Sequence, residues 1–565
     1  MSAITDVLPV ELLHEIVSFI DSPSDVLSFG LSNKALADIS IPHPCIYRVF
    51  RARISRSAAI WRFFAQADLT AGEVRELDIL PENISDVCHG DYGPDRWMAE
   101  PLVVPKELAG RGQIQHFSGR PSFEQTRADE ALLIDAVKRM KNLKRFGWYR
   151  SPPPVIVDQN DLWHALGSSG SLEELDVVDE PFSVLTHAPA GYIAVKPLAS
   201  TETFLSLRGL KTLTLYTHAY DQTQDKVDFT GIVGMLAGNK DLEKLHLFLK
   251  SPITMSITAL IITAQWNHLR SLNISGRAHC IPSALLGFLY AHPGIEELSL
   301  APLIIGKRWF QKPRNPPSKP LLPHLKRLQC RAFHVVWLVE HGAGSRVTEL
   351  TGVLLSKRVV MNDIFFDDPD ELDENDEGDI ELDQSGEDVP SPFRESFLDI
   401  LKSNRLPSLT HLGVTGDSND LEDVVAAFPH IRELTLDFWV REARLVRGAE
   451  FRTSKEFCSH LFQDEFLPHL ACLPLLNVFK APALFEYDRY HLYKHPNYDF
   501  IGNATRVCKL AKACPLLERI VFEKIQIVLI RGGSDGLKWV FRKLGDNEPV
   551  MREGEDVRYA SDFGG

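Results

Sequence analysis

The densest set of potential metal ligands is an acidic run from residue 367 to residue 388, which holds thirteen Asp or Glu and no Lys or Arg. Its segment from Asp373 to Gly378 resembles the start of a calcium-binding EF-hand loop. The twelfth position is Gln384, although the loop needs a bidentate Glu there, and no amphipathic helix pair flanks the run. We therefore expect a disordered acidic insertion and no calcium site.

A second candidate for metal binding is the pair His491 and His495, which has the i, i+4 spacing that places two imidazoles on one helix face. Pro496 follows at once and no third ligand is evident in the sequence. The eight cysteines form no CxxC pair and share no spacing typical of a zinc site or a disulfide framework. The sequence therefore predicts no metal site, and reduced thiols indicate a cytoplasmic or nuclear protein.

Motifs for catalysis are also missing. The chain has no GxxxxGK phosphate loop, no HExxH and no GxSxG, and Gly110 and Gly112 are followed by Gln115 where a dinucleotide-binding loop needs its third glycine. Nothing in the sequence combines a nucleophile with a base. We therefore predict a non-catalytic protein without a cofactor.

The charge distribution gives no indication of nucleic-acid binding. The formal net charge is -15, but the acidic run accounts for most of it and leaves 63 acidic against 61 basic residues. A short basic run, which we interpret as a solvated linker or helix face, contains Arg48, Arg51, Arg53, Arg56 and Arg62. No stretch has the roughly 18 apolar residues of a membrane helix, and the start of the sequence does not resemble a secretion signal. We therefore expect the protein to bind neither a membrane nor a nucleic acid.

Three short helices are predicted within the first forty residues. Apolar residues at helical spacing follow Pro9 up to Ile20, and Pro9 suits the first position of a helix. A second helix is predicted to begin at Ser22-Pro23, and a third stretch runs from Lys34 to Ile39. So small a unit cannot bury its own apolar surface, so part of that surface must contact other residues or another protein.

The pattern from LPVELLHEIVSFI through SPSDVLSFGLSNKALADI resembles the F-box, a module that binds a Skp-type adaptor in cullin-based ubiquitin ligases. The match covers about Val7 to Ile39 and departs from the family at Leu36, where many F-boxes have tryptophan. The resemblance implies a Skp-family adaptor, and through it a cullin, as partners. Its implied adaptor contacts are Leu8, Pro9, Glu11, Leu12, Ile16, Leu27 and Leu31. The pattern is also compatible with a helical cap for the domain that follows.

A short phrase, LxxLxL, recurs through the rest of the chain. Clear copies begin at Leu143, Leu172, Leu210, Leu242, Leu269, Ile295, Leu325, Leu409, Ile431 and Leu517, and weaker copies at Val74, Val347 and Leu476. From Leu143 to Val347 the starts are 22 to 38 residues apart, which brackets the period of leucine-rich repeats. Helical segments lie between copies, and a proline often stands two residues before a copy, where it would end the helix.

The predicted fold class is therefore α/β: a three-helix F-box followed by an irregular leucine-rich-repeat solenoid with one strand and one helix per repeat. We expect the F-box in residues 1–45, a linker with the first weak repeats in 46–130, the solenoid in 131–530 with its disordered acidic insertion at 367–388, and a tail in 531–565. Because regular repeats place an asparagine after the strand and these mostly do not, the array resembles the degenerate repeats of F-box proteins.

These features suggest a substrate-recognition subunit of an SCF-type ubiquitin ligase, in which the F-box holds the adaptor and the repeats hold a target protein. The alternative is a repeat scaffold for protein-protein interaction without ubiquitin transfer. Side chains that flank the second leucine of each phrase should point to the open face of the sheet. The substrate-binding residues predicted in this way are Glu174, Asp176, Lys244, His246, Asn273, Glu297, Arg327, Gln329, His411 and Glu433. The aromatic-rich segment 485–500 is a second candidate surface.

Overall fold

The computed structural model of the 565-residue chain describes residues 8–20, 23–40, 47–54, 57–81, 103, 123–150, 153–156, 160–179, 198–217, 230–249, 255–276, 278–300, 319–355, 393–416, 418–436, 466–481, 500–522, 525–531, 537–543 and 558–559. Several predictions fall outside these residues: the acidic insertion at 367–388, the pair His491 and His495, and the segment 485–499.

Helices occur at the N-terminus and between the strands. They are α1 Val10–Phe19, α2 Pro23–Leu31, α3 Lys34–Ser40, α4 Ala58–Gln66, α5 Asp68–Gly72, α6 Phe123–Val137, α7 Leu162–Ser169, α8 Glu202–Leu205, α9 Thr230–Gly238, α10 Thr258–Thr263, α11 Pro282–Ala291, α12 Ala332–Glu340, α13 Arg394–Lys402, α14 Ser418–Ala427, α15 Leu467–Leu470 and α16 Phe500–Ala513.

The strands are β1 Val49–Arg53, β2 Glu76–Leu80, β3 Arg145–Trp148, β4 Glu174–Asp179, β5 Thr212–Thr217, β6 Lys244–Leu249, β7 Met255–Ser256, β8 Ser271–Gly276, β9 Ala278–His279, β10 Glu297–Ser299, β11 Arg327–Gln329, β12 Glu349–Leu354, β13 His411–Thr415, β14 Glu433–Leu436, β15 Val478–Lys480, β16 Arg519–Phe522, β17 Ile525–Arg531, β18 Leu537–Lys543 and β19 Arg558–Tyr559.

The chain forms two compact units, Met1–His292 and Pro293–Gly565. In the first unit a parallel sheet has the order β1-β2-β3-β4-β5-β6-β8, and β7 pairs separately with β9. In the second unit β10 to β16 are parallel neighbours in chain order. Strands β17, β18 and β19 then continue that sheet with antiparallel pairing. Each unit is therefore a stack of strand-and-helix repeats, except at the antiparallel end.

The recurrent phrase forms the strands and sets their register, as the sequence predicts. Its second apolar residues pair across the first sheet in the order Leu77, Phe146, Leu175, Leu213, Leu245 and Leu272. All six are at most 1% exposed. Aromatic contacts link successive repeats inside this core, since the ring centroid of Trp163 lies 6.3 Å from that of Phe146 and 5.0 Å from that of Phe204. Burial on this scale needs neighbouring repeats, since one repeat cannot cover its own apolar face.

Prolines end helices where the sequence predicts it. Helix α11 ends at Ala291, two residues before Pro293, and α16 ends at Ala513, two residues before Pro515. The first proline is placed differently: the sequence predicts Pro9 as the first helical residue, but it is the N-cap, with φ -56° and ψ 149°. Its carbonyl accepts hydrogen bonds from the amides of Leu12 and Leu13 at 3.1 and 3.2 Å. Pro23 is the first residue of α2.

Candidate protein-interaction sites

The three N-terminal helices divide their apolar side chains between a core and a surface. Leu13, Val17, Val26 and Leu36 are 0–3% exposed and hold α1, α2 and α3 together. In contrast, Val10, Leu12, Phe19, Leu27 and Leu31 are 41–76% exposed. We call these five residues the docking patch.

The adaptor contacts implied by the F-box resemblance fall on the outside of this small bundle. Leu12, Leu27 and Leu31 belong to the docking patch, Pro9 and Glu11 are also exposed, and Leu8 and Ile16 are half-buried. The sequence interpretation missed Val10 and Phe19. Phe19 could have been found, because Leu12, Ile16 and Phe19 are spaced i, i+4, i+7 and share one helix face.

Arg48 joins the helical module to the first strand of the sheet. Its side chain is fully buried, and its Nη2 donates a hydrogen bond to the Val17 carbonyl at 2.6 Å, near the negative end of α1. Nη1 lies 3.7 Å from a carboxylate oxygen of Glu73. The interpretation of this residue as part of a solvated run was wrong, because Arg48 is fully buried and its guanidinium hydrogen-bonds a carbonyl in the last turn of α1.

The open face of each sheet, by which we mean the face carrying the third and fifth residues of the phrase, bears the predicted substrate-binding residues. In the first unit, Glu174 pairs with Thr212 and Thr212 with Lys244, while Asp176, Thr214, His246 and Asn273 form the next row. In the second unit, Glu297, Arg327, Glu349, His411 and Glu433 form one row, and Gln329 lies two residues beyond Arg327. The structure thus divides the ten predicted residues between the two units, five in each.

A charged network that the sequence interpretation missed occupies the start of the first sheet. The fully buried Asp78 carboxylate accepts hydrogen bonds from Arg51 Nε at 2.9 Å and from Arg145 Nη1 at 3.3 Å. The Nη2 of Arg145 also donates to Asp176 at 3.1 Å and to the Tyr149 hydroxyl at 2.7 Å. Burial, with the nearby Asp176 and Asp78 carboxylates, raises the pKa of Tyr149 far above its ordinary value, so the phenol stays protonated and donates to Asp176 at 3.0 Å.

This network depends on Gly147, which pairs with Asp78 and Asp176 on the neighbouring strands. A Cβ at this glycine would lie 2.4 Å from Asp78 Oδ1 and 2.6 Å from the Tyr149 ring. Both distances are too short for any side chain, so glycine leaves the space into which the tyrosine folds. A signal was present, since the copies that begin at Leu143 and Leu409 have glycine where the other copies have a side chain on the open face.

An apolar row next to these polar rows was also missed. The residue that follows the last apolar position of the phrase is Leu80, Tyr149, Val178, Tyr216 or Phe248 in five successive strands. The first four are at most 7% exposed and form one cluster, against which Phe248 packs. The rings of Tyr216 and Phe248 stack at a centroid distance of 3.9 Å and an angle of 7°. This stacking gives the open face an aromatic border.

His411 is one of the residues predicted to bind substrate on the open face, but it is only 9% exposed. Its Nε2 is 3.0 Å from the Thr435 hydroxyl, and its Nδ1 is 3.6 Å from Glu349 and 3.7 Å from Glu433. Burial and the nearby Lys480 lower the pKa of His411, against the opposing effect of the two glutamates. Ser271 and Ser299 are likewise buried. Cross-strand contacts therefore cover positions that alternation alone predicts to be open.

Within the described ranges, no group of three or more His, Cys, Asp or Glu is arranged to hold a metal ion. In the same part of the chain, no helix has the length and apolar character needed to cross a bilayer.

Glu130 on α6 is a buried acid with an unusual pKa. Its side chain is 1% exposed and accepts hydrogen bonds from the amides of Val155 and Ile156, both at 2.9 Å. Burial raises the pKa of Glu130 to about 7.

No model of a known protein family matches this chain. No curated protein matches it either. Among solved structures, it is similar to one described as the crystal structure of the Rad7 and Elc1 complex in yeast, with 9% sequence identity and a TM-score of 0.29. The similarity covers 78% of this chain and 94% of that chain.

Proposed function

We propose that this protein is the substrate-recognition subunit of an SCF-type ubiquitin ligase. Helices α1 to α3 bind a Skp-family adaptor, which connects the chain to a cullin, and the strand-and-helix repeats bind the target protein. This function requires no catalytic residue in the chain, because its partners transfer ubiquitin. Its contribution is proximity: a tethered target has a high effective concentration next to the loaded conjugating enzyme.

The observation that carries this proposal is the docking patch. A module of three short helices leaves Leu12, Leu27 and Leu31 between 41% and 71% exposed while Leu13, Val17, Val26 and Leu36 form its core. Each such side chain contributes roughly 1.5 to 3 kcal/mol when a partner buries it fully. Several large, exposed apolar residues within one small module are typical of a protein that binds another.

The Arg48 contact supports the same two roles, adaptor binding by the helical module and target binding by the repeats. Because Arg48 Nη2 binds the Val17 carbonyl at 2.6 Å, the C-terminal end of α1 is fixed to the residue that precedes β1. A docking module attached in this way holds the bound adaptor at a defined position relative to β1. The alternative reading, a helical cap that binds no adaptor, would also need this contact but would have no use for exposed leucines.

The test is a titration of the purified full-length chain with a Skp-family adaptor. Replacing Leu27 and Leu31 together with serine should weaken the adaptor complex more than tenfold without changing the circular dichroism of the repeats. Leu69 provides the matched control, because it is 91% exposed on α5, outside the docking patch. Its replacement with serine should leave adaptor affinity unchanged. Absence of adaptor binding by the folded wild-type chain would favour the scaffold alternative.

A further inference from the structure

The open face of the first sheet contains a region where the charges are already neutralised by one another. Arg145 contacts Asp78 and Asp176 within 3.3 Å, and Arg51 contacts Asp78 at 2.9 Å. Charges that are paired in this way gain little from a new partner, because binding would exchange one ion pair for another. Strands β1 to β3 are therefore poor candidates for charge-based recognition.

Strands β4 to β6 differ in this respect. Glu174 and Lys244 are both exposed, and within the described part of the chain neither has an ion-pair partner within 4.0 Å. They stand in one cross-strand row with Thr212 between them. Two strand spacings separate the two residues, so their Cα atoms are about 10 Å apart. The result is a negative and a positive group facing outward with a hydroxyl between them.

On the second unit the equivalent charges are paired. Arg327 forms an ion pair with Glu297, and Glu433 lies 3.8 Å from Lys480 and 3.9 Å from Arg519. The contrast between the two open faces selects Glu174 and Lys244 as the charges that still need a complement.

A neighbouring polar atom indicates what else the complement must supply. Asn273, which pairs with His246 on the adjacent strand, has a buried side-chain oxygen with no hydrogen-bond donor. A buried acceptor without a donor is unfavourable, and a donor supplied by a partner would satisfy it. A backbone N–H can provide it only if it is not already used in a helix or a sheet.

We propose that strands β4, β5, β6 and β8 bind an extended segment of the target protein that carries one acidic and one basic side chain three residues apart. In the polyproline II conformation three residues span about 9 Å and return to the same face, and the backbone N–H groups remain free. The acidic side chain pairs with Lys244, the basic one with Glu174, and a free amide donates to Asn273. This proposal rests on the proposed function, since it names the class of target segment.

The probes are synthetic twelve-residue, proline-rich peptides that carry one Asp and one Lys, separated by one to eight positions and in both orders. They are titrated against the full-length protein by fluorescence polarisation. A separation of three in one order should bind at least tenfold more tightly than the other peptides of identical composition. An optimum at any other separation, or no preference among the peptides, overturns the proposal.

Charge reversal locates the site. Glu174→Lys together with Lys244→Glu should transfer the preference to the opposite order, and Glu174→Lys alone should select peptides with two acids. Reversal of the paired charges, Glu297→Arg with Arg327→Glu, is the matched control and should change nothing. Unchanged peptide preference in the first double variant also refutes the site. Adaptor affinity, measured in parallel, separates this outcome from failure of the proposed function, because it depends on the docking patch alone.

Discussion

Gly147→Ala should destabilise the first unit by about 2 to 4 kcal/mol. The new methyl group would lie 2.4 Å from Asp78 Oδ1 and 2.6 Å from the Tyr149 ring, so at least one of these side chains must move. Overpacking alone costs roughly 1 to 3 kcal/mol. Displacing the fully buried Asp78 also weakens its contacts with Arg51 and Arg145, and breaking a buried ion pair typically costs about 3 to 5 kcal/mol. Partial relaxation of the tyrosine should reduce the total to the stated range.

Urea unfolding, followed by circular dichroism, and hydrogen exchange of the β2 and β3 amides together measure this effect. Gly234→Ala is the matched control, because a Cβ at Gly234, inside helix α9, would have no neighbour within 4 Å. Alanine there should stabilise the protein by roughly 0.5 to 1 kcal/mol. If Gly147→Ala were as harmless as the control, the described packing of Tyr149 over the glycine would be incorrect.

Three further predictions concern the two residues that precede α1, a buried acid, and an ion pair between helices α13 and α14. Replacing Leu8 and Pro9 with alanine should weaken adaptor binding more than tenfold and leave the repeats folded; unchanged affinity in a titration would remove the F-box assignment. The pKa of Glu130 is about 7 in the folded chain, above its ordinary value of 4.5, so folding stability should fall by about 3 kcal/mol as pH rises from 4.5 through 7. The urea midpoint should fall less steeply with pH for Glu130→Gln than for the wild-type protein. Parallel plots of midpoint against pH for the two proteins would contradict the raised pKa of Glu130. Arg394→Ala should lower the free energy of unfolding by about 2 to 4 kcal/mol in a thermal melt, because the nearly buried carboxylate of Asp420 loses its cation. The guanidinium lies 2.6 Å from that carboxylate. A loss below 1 kcal/mol would mean that water replaces the arginine.

The strands were largely predictable because the phrase itself is the physical cause of the fold. The second and third apolar residues of the phrase are two positions apart and therefore share one face of a strand, and even the weak copies at Val74, Val347 and Leu476 form β2, β12 and β15. Strands β1 and β17 to β19 were missed since they lack the phrase. Their apolar residues alternate, but short alternating runs do not determine a partner strand.

The candidate site was predicted less completely, for a different reason. Asp78 contacts Arg51 and Arg145, residues 27 and 67 positions away in the chain. Such contacts depend on the register between strands, which cannot be predicted from the spacing of the phrase. Alternation gives the side of the sheet on which a residue lies, but not whether its neighbours cover it. His411 illustrates the limit, since it lies on the predicted face and is nevertheless 9% exposed.

Register is held by features at the beginning of the strands, in spite of repeats that vary from 22 to 38 residues. In most copies the carbonyl of the second residue of the phrase accepts two amides from the next strand, as Glu173 does from Lys211 and Thr212 at 2.7 and 3.0 Å. The side chains at this second position alternate in charge along Lys144, Glu173, Lys211, Glu243 and Arg270. Lys211 Nζ lies 3.0 Å from the Glu173 carboxylate, and a slip of one residue would remove such pairs. Variation in repeat length is thus confined to the segments between strands, and the row of Glu174, Thr212 and Lys244 keeps a fixed spacing. A fixed spacing is what recognition of two charges at a set separation requires.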